Sequence, residues 1–238
     1  MVVEMTIIDC VSDLHGFEPE LEGGDLLIVA GDLTARDKPM EYDCFADWLQ
    51  RQKYKKKILI AGNHDNYLEY KSFEFVKEMY GAIGVEYLCD SGTEFEGLKI
   101  WGSPWTPRFT KMNPNCMAFT YFDETWFYDE KISKIPHDID ILITHGPAHG
   151  ILDKAKRYNS NGYWNPKDGK YEHVGNKSLY AWLKYVARPK LHVFGHIHES
   201  YGKIEVFPTY NDKMMISVNA SHVNENYEPV NKPIRIII

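Results

Sequence analysis

Leu26-Leu27-Ile28-Val29-Ala30-Gly31-Asp32-Leu33-Thr34 is an apolar run of strand length that stops abruptly at a glycine and a carboxylate. Because nearly every position of the run is apolar, it predicts a β-strand that is covered on both faces. Four other runs share this length and character, and they are Ile7–Val11, Ile58–Ala61, Ile139–Ile143 and Leu191–Phe194. The chain is therefore expected to be built around five buried strands.

Helical periodicity appears between the strands. Residues 38–52 place apolar side chains at helical spacing, with Asp37 as the expected N-cap and Pro39 in the first turn. A second amphipathic helix is predicted over 179–186 and ends before a proline. Strands that alternate with helices indicate a layered α/β architecture. No internal repeat or linker interrupts the pattern, so we expect one domain over residues 1–238.

The other segments carry weaker patterns. Three more strands are expected in the C-terminal third, over 203–207, 213–218 and 233–238. A turn at Asn211-Asp212 would join the first two of them. The aromatic segment 103–128 has no clear period, and the polar residues 156–176 are interpreted as a long loop. The basic run 53–57 is expected to be a solvated turn between the first helix and the third strand.

Charge and cysteine content disfavour several classes of protein. The 27 basic and 34 acidic side chains give a net charge of −7, which argues against a broad electrostatic grip on nucleic acid. No apolar run reaches the roughly 20 residues of a membrane-spanning helix. No secretory signal is recognisable either, so we expect a cytoplasmic protein without a membrane partner. Four scattered cysteines favour reduced thiols over a thiolate metal site, whereas ten histidines are unusual.

Polar side chains that can bind metals follow all five buried strands. They are Asp13 and His15, Asp32, Asn63 and His64, His145, and finally His196 and His198. Ligands collect at the carboxyl ends of strands in open α/β sheets, so these loops are expected to converge. Carboxylate, amide and imidazole donors suit divalent ions such as Mn, Fe, Co or Zn. Each motif alone could be turn or strand chemistry, but their order after five strands favours a metal site.

The pattern resembles the calcineurin-like metallophosphoesterases. The motifs of that family are present in order, as Asp13-x-His15, Gly31-Asp32, Gly62-Asn63-His64-Asp65, His145 and Gly195-His196-x-His198. Further stretches are similar to the metallophosphoesterase-domain-containing (MPPED) subfamily, among them Trp101-Gly102-Ser103-Pro104-Trp105-Thr106-Pro107 and Thr144-His145-Gly146-Pro147. The resemblance extends over nearly the whole chain.

The resemblance implies a four-layer α/β/β/α sandwich of two mixed sheets flanked by helices, with two divalent ions where the sheets meet. One ion would take Asp13, His15, Asp32 and His198, and the other Asp32, Asn63, His145 and His196, so that Asp32 bridges them. Manganese is the first expectation, with Fe, Zn, Co or Ni as alternatives. Some vertebrate members of the subfamily carry glycine in place of the first His of Gly-His-x-His. His196 is present here, which predicts a complete two-metal site.

The resemblance also implies that His64 contacts the phosphate, together with Asn63, and protonates the leaving oxygen as general acid. Arg36 is a candidate phosphate contact, with a capping or solvent role as the alternative. His149 is a candidate pocket residue, with a surface turn as the alternative. The stretch 101–107 would form an aromatic wall beside the pocket, although core packing is the more frequent use of such residues.

The function implied is that of a di-metal phosphoesterase. A phosphodiesterase would hydrolyse 2′,3′- or 3′,5′-cyclic nucleotides, or similar small phosphodiesters, by in-line attack of a metal-bridging hydroxide. A phosphomonoesterase or phosphoprotein phosphatase, and a non-catalytic scaffold with the same fold, are the alternatives. The expected partner is a small phosphoester and not long nucleic acid, because the chain has no dense basic run beyond 53–57. The sequence leaves the oligomeric state open.

Overall fold

A computed structural model describes residues 5–109, 115–156, 170–187, 189–202, 204–208 and 214–238. The helices are α1 (Pro39–Arg51), α2 (Asn66–Tyr70), α3 (Phe73–Gly81), α4 (Glu124–Glu130) and α5 (Lys177–Tyr185), and 3₁₀ helices cover Ile132–Lys134 and His198–Ser200. The strands are β1 (Ile7–Val11), β2 (Gly24–Ala30), β3 (Tyr54–Ile60), β4 (Glu86–Tyr87), β5 (Ser91–Phe95), β6 (Leu98–Ser103), β7 (Thr106–Pro107), β8 (Thr120–Tyr121), β9 (Ile141–Thr144), β10 (Lys154–Lys156), β11 (Tyr171–His173), β12 (Leu191–Phe194), β13 (Ile204–Pro208), β14 (Met214–Asn219) and β15 (Ile234–Ile237). Within these ranges, no helix has the length and apolar character needed to cross a membrane.

The five buried strands and the three C-terminal strands of the sequence prediction are confirmed. They correspond to β1, β2, β3, β9 and β12, and to β13, β14 and β15. The two predicted helices are α1 and α5. The predicted turn at Asn211-Asp212 lies outside the described residues, as does most of the predicted loop, at 157–169. The loop prediction is wrong at 171–173, because β11 lies there and pairs in antiparallel fashion with β10.

The first sheet has five strands in the order β15-β1-β2-β3-β4. Strands β1 to β4 run parallel, and β15 is antiparallel to β1. Val11 lies opposite Val29, and Ala30 lies opposite Ile60, so β1, β2 and β3 end side by side. The loops that follow these three strands therefore leave the sheet at one edge.

The second sheet has six strands in the order β13-β14-β12-β9-β6-β5. The central strands β14, β12, β9 and β6 run parallel, and antiparallel strands form both edges. Val193 of β12 lies opposite Ile143 of β9, and each is the residue before the last one of its strand. The carboxyl ends of β9 and β12 thus provide a second set of loops for one site.

The main apolar core lies between the two sheets. Ile28 of β2 and Val193 of β12 belong to one buried cluster to which both sheets contribute. Alternate residues face outward, because successive side chains of a strand point to opposite faces. Leu27 packs with side chains of α1 and α3, and Leu142 of β9 packs with side chains of α4 and α5. The four-layer α/β/β/α sandwich is therefore confirmed.

The N-terminus of α1 differs from the prediction. Lys38, not Asp37, is the N-cap residue, and the Glu41 side chain accepts its backbone N–H at 2.9 Å. Asp37 has φ +56° and lies just before the helix. From there its carboxylate accepts the Tyr42 hydroxyl at 2.6 Å and the Tyr67 N–H at 2.9 Å. Asp37 thus joins α1 to α2 instead of capping α1.

The prediction of a solvated turn at 53–57 is wrong, since β3 begins at the second residue of that run. Lys57 is buried, and its ammonium group donates to the carbonyls of Leu49 at 3.0 Å and Gln52 at 3.4 Å. These carbonyls lie at the C-terminal end of α1, where positive charge is favoured, and the Leu49 carbonyl also accepts the Gln52 N–H at 3.2 Å. Burial lowers the pKa of Lys57. Lys57 therefore ties α1 to β3.

We expect Lys57→Met to lower the free energy of unfolding by about 1–3 kcal/mol, because the α1 carbonyls would lose a charged donor while the space stayed filled. Chemical denaturation measures the difference. Lys53→Met is the matched control, since Lys53 belongs to the same run but is exposed. The control should change the free energy by less than about 0.5 kcal/mol. Equal losses in the two variants would contradict this role of Lys57.

In the aromatic segment 103–128, the described residues after the end of β6 include β7, β8 and the first residues of α4. The Trp105 indole donates to Asp90 at 2.9 Å, and its ring packs edge-on against Phe119 and Trp126. Thr106 lies beside Gly146, in the loop after β9. The stretch 101–107 is thus packed into the fold next to one of the loops that carry predicted ligands.

Candidate metal centre

Seven polar side chains converge where the carboxyl ends of the two sheets meet. They are all of the predicted metal ligands: Asp13, His15, Asp32, Asn63, His145, His196 and His198. The loops after β1, β2 and β3 supply four of them, and the loops after β9 and β12 supply three. In the described part of the chain, three groups of His and Asp have ligand atoms within 4.8 Å of one another, and all belong to this region.

The first group consists of Asp13, His15 and His198. His198 Nε2 lies 3.3 Å from Asp13 Oδ1, and His198 Nδ1 donates to the Asn224 carbonyl at 3.1 Å. The Asp13 carboxylate also accepts the Ser221 hydroxyl and the backbone N–H of His196, each at 2.8 Å. Donors from the second sheet and from the C-terminal segment therefore hold this carboxylate in place.

The second group consists of Asp32, His145 and His196. His145 Nε2 lies 3.4 Å from Asp32 Oδ1 and 2.9 Å from Asn63 Oδ1. The Asn63 amide nitrogen donates to the Cys116 carbonyl at 3.3 Å, which turns the amide oxygen towards the centre. The ring of His196 lies 4.9 Å from that of His145.

Asp32 faces both halves of the centre. Its Oδ2 lies 3.7 Å from His15 Nε2, while its Oδ1 lies 3.4 Å from His145 Nε2. One oxygen therefore points to each histidine group. A carboxylate that bridges two neighbouring ions needs this orientation.

The histidine nitrogens fit bound cations. His15 Nε2 and His196 Nε2 are buried and have no hydrogen-bond partner among the described residues, which is costly for a polar atom. Burial lowers the pKa of His15 to about 4 and that of His196 to about 3, so each keeps a lone pair near neutral pH. His145 and His198 each engage a carbonyl through Nδ1, which leaves Nε2 as the ligand atom. Imidazole and oxygen donors suit borderline divalent ions.

Both carboxylates of the centre are ionised. Burial opposes this for Asp32, but the positive charges of His145 and His64 hold its pKa well below the usual range. Burial likewise opposes it for Asp13, whose pKa is lowered by the hydrogen bond and the charge of His198. Although burial acts against it, Asp32 raises the pKa of His145 to about 9. A cation at this centre would therefore compete with the proton on His145.

The backbone of the ligand loops is strained. Asp13, His15, Asp32 and His196 have φ between +45° and +68°, a region that residues other than glycine rarely adopt. Such conformations cost about 1–3 kcal/mol each and persist where the surroundings fix them. Gly195 approaches Asp13 so closely that a Cβ at position 195 would overlap with the carboxylate. The sequence motifs thus encode unusual backbone as well as ligand atoms.

The third group consists of His15, Asp32 and His64, so it shares one residue with each of the other two groups. The His64 side chain is 15% exposed. Its ring meets the ring of His15 edge-on at 4.6 Å, and its backbone N–H donates to Asp32 Oδ1 at 2.9 Å. His64 Nδ1 contacts Cys116 Sγ at 3.2 Å. Because the thiol engages Nδ1, Nε2 is the ring nitrogen on the side of Asp32, 3.9 Å from Oδ2.

Sequence reasoning missed the structural part of Asp65, although this residue ends the Gly-Asn-His-Asp motif. The side chain is fully buried. Its carboxylate accepts the backbone N–H of Asp32 at 3.0 Å, Leu33 at 3.1 Å and Gly62 at 2.8 Å. Burial and the charge of Asp32 raise the pKa of Asp65 to about 8. Asp65 thus braces the loops after β2 and β3. The sequence did offer a hint of this role, because Asp65 belongs to a motif but is not one of the predicted metal ligands.

The contacts of Ser221 and Tyr227 were missed as well, and neither residue belongs to the five metal-ligand motifs. The Ser221 hydroxyl donates to Asp13, and the Tyr227 ring lies 4.9 Å from the ring of His15. Both residues follow β14, after the last predicted ligand in the chain. Only the return of the chain to the first sheet brings them to the centre.

We expect Asp65→Ala to weaken divalent-ion binding by about 10- to 100-fold, because the donors that hold two ligand loops would lose their acceptor. Titration calorimetry of the metal-free protein with MnCl₂ measures the affinity. Asp65→Asn keeps one oxygen acceptor and should lose less. Asp43→Ala, at an exposed carboxylate of α1, should bind like the wild type. Wild-type affinity in Asp65→Ala would contradict the bracing role.

Two predicted substrate contacts are not among the ligand groups of the described residues. Arg36 is exposed before α1, and its backbone N–H donates to Glu41 at 3.0 Å. His149 Nδ1 lies 3.8 Å from Asp153 Oδ2, and its ring lies 5.6 Å from that of His173. Roles of Arg36 and His149 in substrate binding stay predictions.

The four-layer sandwich and the clustered Asp, His and Asn side chains define a class of protein, that of phosphoesterases with candidate sites for divalent metals. The chain belongs to the calcineurin-like phosphoesterase family, whose model matches residues 7–200. Members of this family are phosphoric ester hydrolases that typically depend on divalent metals. The family resemblance drawn from the motifs is therefore confirmed.

Individual proteins show the same relationship. Human Metallophosphoesterase domain-containing protein 1 is 36% identical to this chain over 251 residues, covering 95% of this chain and 69% of that protein. The mouse protein of the same name gives the same identity and coverage. The crystal structure of TT1561 of Thermus thermophilus superimposes with a TM-score of 0.56 at 13% identity, covering 92% of this chain and 91% of that one. This last likeness concerns the fold alone.

Proposed function

We propose that this protein is a di-metal phosphodiesterase that hydrolyses small phosphodiesters, with 2′,3′- or 3′,5′-cyclic nucleotides as the first candidates. The observation that carries the proposal is the orientation of Asp32, whose two oxygens face two separate histidine groups. His64 lies beside the same carboxylate. Two adjacent ions with a histidine at their edge suit in-line displacement at phosphorus.

The proposed ligands divide between two ions. Asp13, His15 and His198 would hold one ion, Asn63, His145 and His196 would hold the other, and Asp32 would be shared. Bound divalent ions would supply positive charge to the phosphate oxygens and lower the pKa of a water molecule. Manganese is the proposed metal, with Fe, Zn, Co or Ni as alternatives. His196, whose Nε2 is buried without a hydrogen-bond partner among the described residues, supports a complete second site.

His64 is the proposed general acid. A thiol donates and accepts weakly, so Cys116 Sγ at 3.2 Å can accommodate His64 Nδ1 with or without a proton. His64 Nε2, on the side of Asp32, would donate its proton to the departing alkoxide. The neighbouring Asn63 would contact the phosphate through its amide.

Small substrates are favoured over long nucleic acid. The net charge of −7 repels an extended polyanion, whereas the charge of two bound ions would act locally. Cyclic nucleotides are the first candidates because the resemblance of the motifs to the MPPED subfamily implies them. A cytoplasmic location is proposed as well.

A panel of phosphoesters offered to the metal-free and the Mn-loaded protein tests the proposal. The panel contains a 2′,3′-cyclic nucleotide, a 3′,5′-cyclic nucleotide, bis(p-nitrophenyl) phosphate, p-nitrophenyl phosphate and an oligonucleotide. We expect hydrolysis of the small diesters with Mn, and a loss of about 100-fold or more after chelation, because no protein group replaces the charge of the ions. Added Mn should restore the rate.

Each other outcome of this panel points elsewhere. Faster hydrolysis of the monoester than of the diesters would favour a phosphomonoesterase. Tight Mn binding without hydrolysis of any ester would favour a non-catalytic scaffold. Full activity in the metal-free protein would overturn the proposed chemistry.

Replacing His64 by Ala is expected to lower kcat by about 100-fold or more while the Mn content stays at the wild-type level. The loss should be larger for a cyclic nucleotide than for bis(p-nitrophenyl) phosphate, because p-nitrophenolate leaves without much help from an acid. Steady-state kinetics and metal analysis measure both quantities. His137→Ala, at an exposed histidine, is the control. Loss of Mn from His64→Ala would mean that His64 is a ligand instead.

A further inference from the structure

Tyr227 lies over the histidines of the centre. Its ring meets the rings of His15 and His198 edge to face, with centroids 4.9 and 5.3 Å apart, and the ring of His64 lies at 6.3 Å. The residue is nevertheless 48% exposed. One part of Tyr227 therefore packs on the centre, and the rest faces solvent, where a ligand bound to the centre would meet it.

The backbone around Tyr227 holds the ring in this place. Tyr227 has φ +61°, which is rare for a bulky residue. The Asn224 side-chain oxygen accepts the N–H of Asn226 at 2.9 Å and of Glu228 at 3.0 Å, and the Asn224 carbonyl accepts the N–H of Tyr227 at 2.9 Å. Strained conformations persist only where the surroundings fix them and are frequent at ligand sites.

The turn that carries Tyr227 is also joined to a proposed ligand. The Asn224 carbonyl accepts His198 Nδ1–H at 3.1 Å. Two residues earlier, the His222 backbone N–H donates to the carbonyl of Ser12, next to Asp13, at 2.7 Å. These contacts set the position of Tyr227 relative to the first histidine group.

An aromatic ring borders the other half of the centre too. Phe109 stacks on His196, with centroids 5.3 Å apart and ring planes within 4° of parallel. His196 belongs to the second ligand group, whereas His15 and His198 belong to the first. A phosphate between the groups would thus carry its alcohol substituents next to aromatic surface, on which flat groups pack well.

We propose that Tyr227 determines specificity by packing against a flat, aromatic alcohol group of the phosphoester, such as a nucleoside or an aryl group. The proposal rests on the proposed function and adds to it a preference for aromatic over small aliphatic esters. Tyr227 contacts the substituent, and no proton transfer at phosphorus uses it.

Two phosphonates that cannot be hydrolysed separate ring recognition from phosphate recognition. Phenylphosphonate and methylphosphonate carry the same anionic group, but only the first has a flat ring. Titration calorimetry of the Mn-loaded protein measures Kd for each. We expect the wild type to bind phenylphosphonate about tenfold more tightly, as stacking of one ring allows.

Tyr227→Gly is the decisive variant, because glycine adopts positive φ without strain and the turn is kept. It should bind phenylphosphonate about tenfold more weakly than the wild type does and leave the Kd of methylphosphonate within about twofold. Tyr227→Phe should retain the preference, since the ring remains. Tyr185→Ala, at an exposed tyrosine of α5, should retain it as well.

Several results would overturn the proposal: no preference in the wild type, a preference that survives in Tyr227→Gly, or its loss in Tyr227→Phe. Loss of Mn from Tyr227→Gly would do the same, because the ring would then support the ligands. A failure of the proposed function alone would give a different result. The preference for phenylphosphonate would still depend on Tyr227, but the phosphoester panel would show no hydrolysis.

Discussion

The imidazole of His145 holds the two sheets together at the end where the metal centre lies. It projects from the loop after β9, yet its Nδ1 donates to the carbonyl of Ala30, at the end of β2, at 2.9 Å. Its Nε2 reaches Asn63 and Asp32, in the loops after β3 and β2. Because all three partners belong to the first sheet, the sandwich cannot shift here without breaking these contacts. The ligand loops of the two sheets therefore keep one mutual spacing.

The apolar core and the polar centre depend on each other. The last residues of the strands include fully buried side chains, such as Ala30, Ile143 and Phe194, so the ligands that follow are desolvated. A desolvated carboxylate is costly unless it has a charged partner. Asp13 and Asp32 meet this requirement through His198 and His145, and divalent ions would meet it more strongly. Packing in the core offsets the cost of the left-handed backbone at the ligand residues. This backbone conformation directs their donor atoms towards the centre.

Local chemistry was readable from the sequence, and long-range contacts were not. The ligands could be located because each directly follows a buried run, as Asp32 follows β2. Lys57 was assigned to a turn because lysine runs are usually solvated, whereas here the ammonium group finds carbonyls of a helix that packs on the same strand. Asp37 has an N-cap residue type, but its hydrogen-bond partners, Tyr42 and Tyr67, lie on two helices. The hydrogen-bond partner of such a side chain is set by residues that pack next to it in the fold. The periodicity of the sequence does not show which residues these are.

The segment that follows β14 forms part of the surroundings of the metal centre. The match to the family model ends at residue 200. Beyond it, the Ser221 hydroxyl donates to Asp13, and the Asn224 carbonyl accepts from His198. The Tyr227 ring packs on His198 as well. The ligands are therefore set by loops inside the matched region, while part of their surroundings comes from outside it. Tyr227 is held by a turn of the backbone and packs its ring on His15 and His198, and it is not a member of the ligand groups of the described residues. The same short segment therefore holds two proposed ligands, through Ser221 and Asn224, and positions the ring on which the proposed substrate preference rests.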